Sequence, residues 1–234
     1  LSSVPTRRLS ALCRASAPVT ARSVAMAGVA PPAATAWRGA AWEQALVSSA
    51  RANRSRAGLK ASTADAQMRN FDIEAKREWA PNGVDRLYQL ITKNYYQDIS
   101  IFRVVPNFVA QFGIHNDTLI NNSWQRSGIK DEPVTLKNDA MTIAFARGGV
   151  KSRSNQIFIN LKDNYRLDTL AYSGVTGFPV VAKVVAGKEV ILKFYDGYRE
   201  KLGRKQDIIS KFGNVFVREE YPKTDFIIRA YILE

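Results

Sequence analysis

"IFRVVPNFVAQFG", from Ile101 to Gly113, is the stretch on which the reading of this chain turns. It is mostly apolar, yet it holds Arg103 and Gln111. A strand shows alternate residues to opposite faces, so some polar positions are expected in one that crosses a core. But Phe102, Val104 and Val105 around the arginine read as buried, and an unpaired guanidinium is costly to bury. Arg103 therefore either pairs with a carboxylate or aims its charge at something the protein binds. The whole stretch is read as one strand.

The flanking segments have a similar texture. "FDIEAKREWAP" alternates Phe71, Ile73 and Ala75 with Asp72, Glu74 and Lys76, the period of a half-buried strand. "APNG" reads as a turn. "VDRLYQLITKNYY" puts Leu87, Leu90 and Ile91 on one face of a helix. "AMTIAFARGG", "NQIFINLKD" and "GFPVVAKVVAG" read as strands, and "KEVILKFYDGYREKL" as a second helix. Many short strands with few helices predict a mainly β fold, a closed antiparallel barrel capped by helices.

Composition removes several classes of function. With one cysteine, Cys13, the chain cannot form an intramolecular disulfide or a cysteine-built zinc site. There is one histidine, His115, and no GxSxG to place a nucleophile beside it. Neither a GxxxxGK[ST] loop nor a GxGxxG after a strand is present, so no nucleotide, metal or other cofactor is expected. No apolar run is long enough for a transmembrane helix.

The net charge of +13 is unevenly placed. Residues 1–70 hold ten basic residues against Glu43 and Asp65, which accounts for +8 and leaves +5 for the rest. The opening is rich in Ala, Ser and Arg and has no acidic residue before Glu43, the composition of a mitochondrial or plastid transit peptide. Residues 1–56 are accordingly read as an irregular basic targeting or assembly tail, ordered only against partners, and 57–234 as the folded domain. A nucleic-acid partner is not expected, since only Trp37 and Trp42 offer stacking surfaces in the tail.

Several motifs resemble one family. "FRVVPNFVAQFG" contains the R-V-x-x-x-F-x-x-Q part of the cyclophilin signature. "EWAPNGVDRLYQL" is similar to that family's first helix and the turn before it, and "TIAFARGGVKSRSNQIFINLKDNYRLD" to its second site segment. "GFPVVAKVV" corresponds to G-F-x-P-F-G-K-V-V, and "GNVFVREEYPKTDFIIRAYI" resembles the ending of a bacterial-like subgroup. The likeness runs in order over residues 57–234.

The resemblance implies a peptidyl-prolyl cis-trans isomerase on an eight-stranded closed barrel with two helices, acting on proline-containing polypeptides. It implies that Arg103 points into the substrate groove, with Gln111 orienting it and bonding the substrate backbone. It further implies that Phe108, Val109, Phe158 and Leu167 form the proline pocket, and that Ala146, Arg147 and Gly148 offer backbone groups to the residue before proline. The chemistry suits a chain without nucleophile, metal or cofactor, because rotation about an amide breaks no bond. An alternative is a structural subunit of a large organellar complex, with reduced or no activity and the tail threaded among its neighbours.

The chain also departs from the family's pattern. Arg147 stands where a small residue or Asn is usual, and "GVK" (149–151) replaces Gly-Pro-Asn. Val181 replaces an aromatic pocket residue, and the loop from Leu167 to Phe178 is about six residues longer by alignment to the family motif. Arg166 stands where many members carry the tryptophan used by cyclosporin, so weak cyclosporin binding is expected.

Overall fold

Phe71, Ile73 and Ala75 are buried and Asp72 and Glu74 half-buried, as the alternation requires, along β2 (Met68–Ala75), with Lys76, also half-buried, just past its end. The computed structural model describes residues 7–14 and 68–233. After β1 (Arg7–Arg14) and β2 come α1 (Pro81–Thr92), β3 (Gln97–Ser100), β4 (Arg103–Val104), β5 (Val109–Phe112) and α2 (Thr118–Gln125). Then follow β6 (Thr142–Phe145), β7 (Ile157–Asn160), α3 (Arg166–Thr169), β8 (Ala171–Tyr172), β9 (Val175–Thr176) and β10 (Val180–Ala186). The chain ends with α4 (Lys188–Ile191), α5 (Arg199–Gly203), α6 (Gln206–Glu220) and β11 (Phe226–Ile232).

The main sheet is antiparallel, in the order β3-β11-β1-β2-β10-β6-β7-β5-β4, with β8-β9 as a separate hairpin. The fold is mainly β with helices around it. The expected count of eight strands and two helices is corrected to nine strands in the main sheet and six helical segments among the described residues. Ladder pairing does not join the two end strands, β3 and β4, to each other, so the expected closed barrel is not found among the described residues. Only Ile101 and Phe102 separate them in the chain, so one short stretch supplies both ends of the sheet.

Four local readings change for physical reasons. The stretch 101–113 is two strands, because Pro106 fixes its own φ and lacks an N–H, and Asn107 takes φ 57°. Phe108 N–H closes that turn on Val105 O at 3.0 Å. "APNG" opens α1, with Pro81 in the first turn where its missing N–H costs nothing. The second helix divides into α4 and α5. The expected irregular tail contains β1, whose register sets Leu9 against Ile73 on one side and Ile232 on the other. Residues 1–6 and 15–56, the rest of that tail, lie outside the described residues.

Helix α1 packs Leu87, Leu90 and Ile91 onto the main core, against residues such as Ile143, Ile159, Val181 and Ile227. Gly83 permits this approach, since a Cβ there would lie 2.5 Å from Val181 Cγ1. Val181 is fully buried under α1. It therefore serves the core, which corrects its reading as the replacement for a pocket aromatic.

The N-cap residue of α1, Ala80, has no side chain able to satisfy the free N–H groups of the first turn. Glu132 does so from 49 residues away along the chain, accepting from Gly83 N–H at 3.1 Å and also from Asn82 N–H. The same carboxylate pairs with Arg153 at 3.0 Å, and the two side chains are 6% and 1% exposed. Glu132→Ala would leave the buried Arg153 guanidinium without its carboxylate, holding only the Lys130 carbonyl, and the helix end uncapped, so it is expected to cost about 3–5 kcal/mol. Equilibrium denaturation measures this; a loss below about 1 kcal/mol, the worth of a surface pair, would contradict it.

Candidate active site

The turn at Pro106–Asn107 folds β4 back on β5, so that Arg103 pairs directly with Gln111, eight residues on. Arg103 Nη1 donates to Gln111 Oε1 at 3.1 Å. Gln111 Nε2 in turn donates to Gln156 Oε1 at 2.9 Å, just before β7. The Arg103 guanidinium carbon lies 5.4 Å from the centre of the Phe108 ring. Arg103 thus comes out of the strand pair as a held cation with an aromatic face beside it.

Beneath it is a small apolar floor separate from the main core. Val109, Ala144, Phe158 and Leu167 are buried together there, with Phe108, Ala146 and Phe178 packed around them. All of these except Ala144, together with Arg103, Gln111 and Arg147, line one cavity of about 190 Å³. Small-molecule sites usually run to roughly 300–1,000 Å³, so this cavity is sized for one side chain. Phe158 and Phe178 meet edge to face, with centroids 5.7 Å apart.

Eight of the nine predicted residues (Arg103, Gln111, Phe108, Val109, Phe158, Leu167, Ala146 and Arg147) line this cavity. Gly148 does not line it; its N–H donates to Ser152 Oγ at 2.9 Å. The Ala146 N–H is also used, donating to Gln156 O at 2.9 Å.

Arg147 has a role that the sequence reading did not foresee. Its guanidinium donates to four carbonyls of the enlarged loop: Gly177 at 3.0 Å, Val175 at 3.1 Å, Tyr172 at 3.2 Å and Leu170 at 3.3 Å. It also lies 4.5 Å above the Phe178 ring. Burial lowers its pKa, partly offset by the Asp131 carboxylate. The extra residues fold into the β8–β9 hairpin, which Arg147 ties down. Phe178 N–H bonds Leu167 O at 2.9 Å, so the insertion closes on itself and Phe178 still reaches the cavity.

Two further residues were missed. Gln156 lies inside the quoted "SNQIFIN" segment, but nothing there marks it as Gln111's partner. Glu200 is 97 residues from Arg103 and meets it with a 2.6 Å Nη2–Oε1 contact. No local pattern announces such a pair.

The family model for cyclophilin type peptidyl-prolyl cis-trans isomerases matches residues 59–214. The chain belongs to the cyclophilin family. It is a peptidyl-prolyl cis-trans isomerase. The Acinetobacter baylyi peptidyl-prolyl cis-trans isomerase is 30% identical over 141 residues, 59% of this cyclophilin and 73% of its own length. The Dickeya dadantii peptidyl-prolyl cis-trans isomerase A is 29% identical over 143 residues, 61% of this chain and 74% of its own. A crystal structure of a Cryptosporidium parvum cyclophilin type isomerase is similar over 70% of this chain and 91% of its own, at 15% identity and a TM-score of 0.47.

In this cyclophilin a single side chain, Arg147, ties four carbonyls of the rim hairpin together. Arg147→Ala would free four carbonyls, and residues 170–177 should then exchange their amide hydrogens faster. KM for an X-Pro peptide is expected to rise several-fold with kcat less affected, because the change loosens the cavity wall and leaves Arg103 and its partners in place. Hydrogen exchange and steady-state kinetics on the same variant check this. Unchanged exchange over 170–177 would contradict it.

Proposed function

We propose that this cyclophilin isomerises X-Pro bonds in the cavity beside Arg103, with the proline ring on the floor formed by Val109, Phe158 and Leu167. The observation that carries the reading is the guanidinium held at the mouth of an apolar cavity sized for one side chain.

The barrier to amide rotation is about 18–20 kcal/mol because twisting sacrifices resonance. In the twisted state the prolyl nitrogen recovers its lone pair and becomes a hydrogen-bond acceptor. A permanently charged donor at that nitrogen favours the twisted state over both planar ones. Arg103 supplies the donor. Gln111 orients it, and its own amide is in turn fixed by Gln156. Phe108 and Phe178 close on the ring from two sides. Because the Ala146 and Gly148 N–H groups are engaged within the chain, the substrate backbone would meet carbonyls of this segment, which keep a second lone pair.

Two finer readings rest on other support. Membership of a bacterial-like subgroup is favoured by the motif at the chain's end and by the two bacterial relatives. Placement in a mitochondrion or plastid is favoured by the acid-poor, Arg- and Ser-rich opening. On that second reading Arg7–Arg14 stays with the mature protein, since it is paired on both edges within the sheet.

Arg103→Ala should lower kcat/KM for an X-Pro peptide by about a hundredfold or more, the usual scale for losing a donor aimed at transition-state charge. A protease-coupled assay that cleaves only the trans peptide measures the rate. Equal nonzero rates for the variant and the parent chain would overturn the assignment.

A further inference from the structure

Arg103 is gripped from a second side, by α5. Its Nε donates to both Glu200 oxygens, at 3.0 and 3.1 Å, and its Nη2 to Oε1 at 2.6 Å. The helix that carries Glu200 is itself anchored at the site. Leu202 is buried in one cluster with Phe102 and Phe226, beside β4. Gly203 lies flat on the aliphatic stem of Arg103, where a Cβ would come 3.0 Å from Cγ and 3.2 Å from Cδ. Arg199, immediately before Glu200, takes φ 44°. Residues other than glycine rarely adopt that region, and where they do, the surroundings impose it, often at functional sites.

We propose that α5 is the positioning element of the active site and that Glu200 is the positioning residue through which it acts. The inference rests on the reading of Arg103 as the donor to the prolyl nitrogen. A guanidinium has five N–H groups. Glu200 takes those on Nε and one on Nη2, and Gln111 takes one on Nη1. One N–H on each terminal nitrogen is left, and with the stem backed by Gly203 these two have a fixed direction. Glu200 works by orientation. The pair is partly exposed, with side chains 22% and 43% accessible, so water weakens its value as a simple ion pair. What it restricts is the rotation of a long side chain whose donors must already be in place when the amide twists.

The test is steady-state kinetics of the full chain on an Ala-Pro peptide, with thermal melting to confirm that each variant folds. Glu200→Ala is expected to lower kcat by about ten- to a hundredfold, as misplaced catalytic groups do. KM should stay within about twofold, because binding in the apolar cavity is untouched. Glu200→Gln keeps one acceptor for Arg103 and should recover part of the lost kcat. An independent readout is the Arg103 Nε–H signal by NMR, protected from solvent exchange in the parent chain and exposed in Glu200→Ala. A kcat for Glu200→Ala at or above that of the parent overturns the proposal, and so does a loss confined to KM. Arg103→Ala run alongside separates the two levels. If it is inactive while Glu200→Ala is unimpaired, only the positioning role fails; if it is fully active, the donor reading fails and the proposal with it.

Discussion

The pairing of Arg103 with Gln111 across the β4–β5 turn is the constraint on which the site depends. Pro106 and Asn107 reverse the chain in so few residues that a cation and an amide eight positions apart become neighbours. The same turn carries Phe108 to the cavity mouth. β5 then runs against β7, which brings Val109, Phe158 and the Gln156 amide into register around the same point. One stretch of chain thus provides the guanidinium, the amide that holds it and part of the apolar floor, and it joins the two ends of the sheet as well.

Such a rigid arrangement suits the reaction. Isomerisation needs no proton transfer and no covalent intermediate, so the protein contributes shape and a fixed dipole. Rigidity around Arg103 comes from partners on unlike elements: Gln111 on a strand, Glu200 on a short helix, and the Phe108 ring from the turn. Arg147 does for the rim what Arg103's partners do at the centre, using four backbone carbonyls to close an enlarged loop. The two arginines sit at one cavity with opposite tasks. One is held by two side chains, while the other is bound up by backbone carbonyls of its own chain.

Much of this was legible in the sequence because the signals were local. The alternation of Phe71, Ile73 and Ala75 gave β2, and the spacing of Leu87, Leu90 and Ile91 gave the buried face of α1. The motif around Arg103 and the second segment, residues 142–168, together marked Phe108, Val109, Phe158 and Leu167, which gather in one cluster. Tertiary relations were not legible. Glu132 caps α1 from 49 positions away, and Glu200 reaches Arg103 from 97. Val181 sits in a pocket motif by alignment, yet the close approach permitted by Gly83 puts it under the helix. The α2 start did carry a readable cue, since Asp117 caps Leu119 and Ile120 through its side chain. The strand at Arg7–Arg14 carried only a partial one, with Leu9 and Ala11 alternating against Arg8 and Ser10 before Leu12 breaks the pattern, inside a basic surrounding composition.

Exchange NMR on an Ala-Pro peptide with a catalytic amount of the chain tests the central claim most directly. Uncatalysed cis and trans forms interconvert over tens of seconds and give separate, unlinked signals at short mixing times. The account predicts cross-peaks between them within a second, together with shifts of the protein signals of Arg103, Phe108 and Phe158. Absence of cross-peaks, or peptide-induced shifts confined to surfaces away from that cavity, would contradict it.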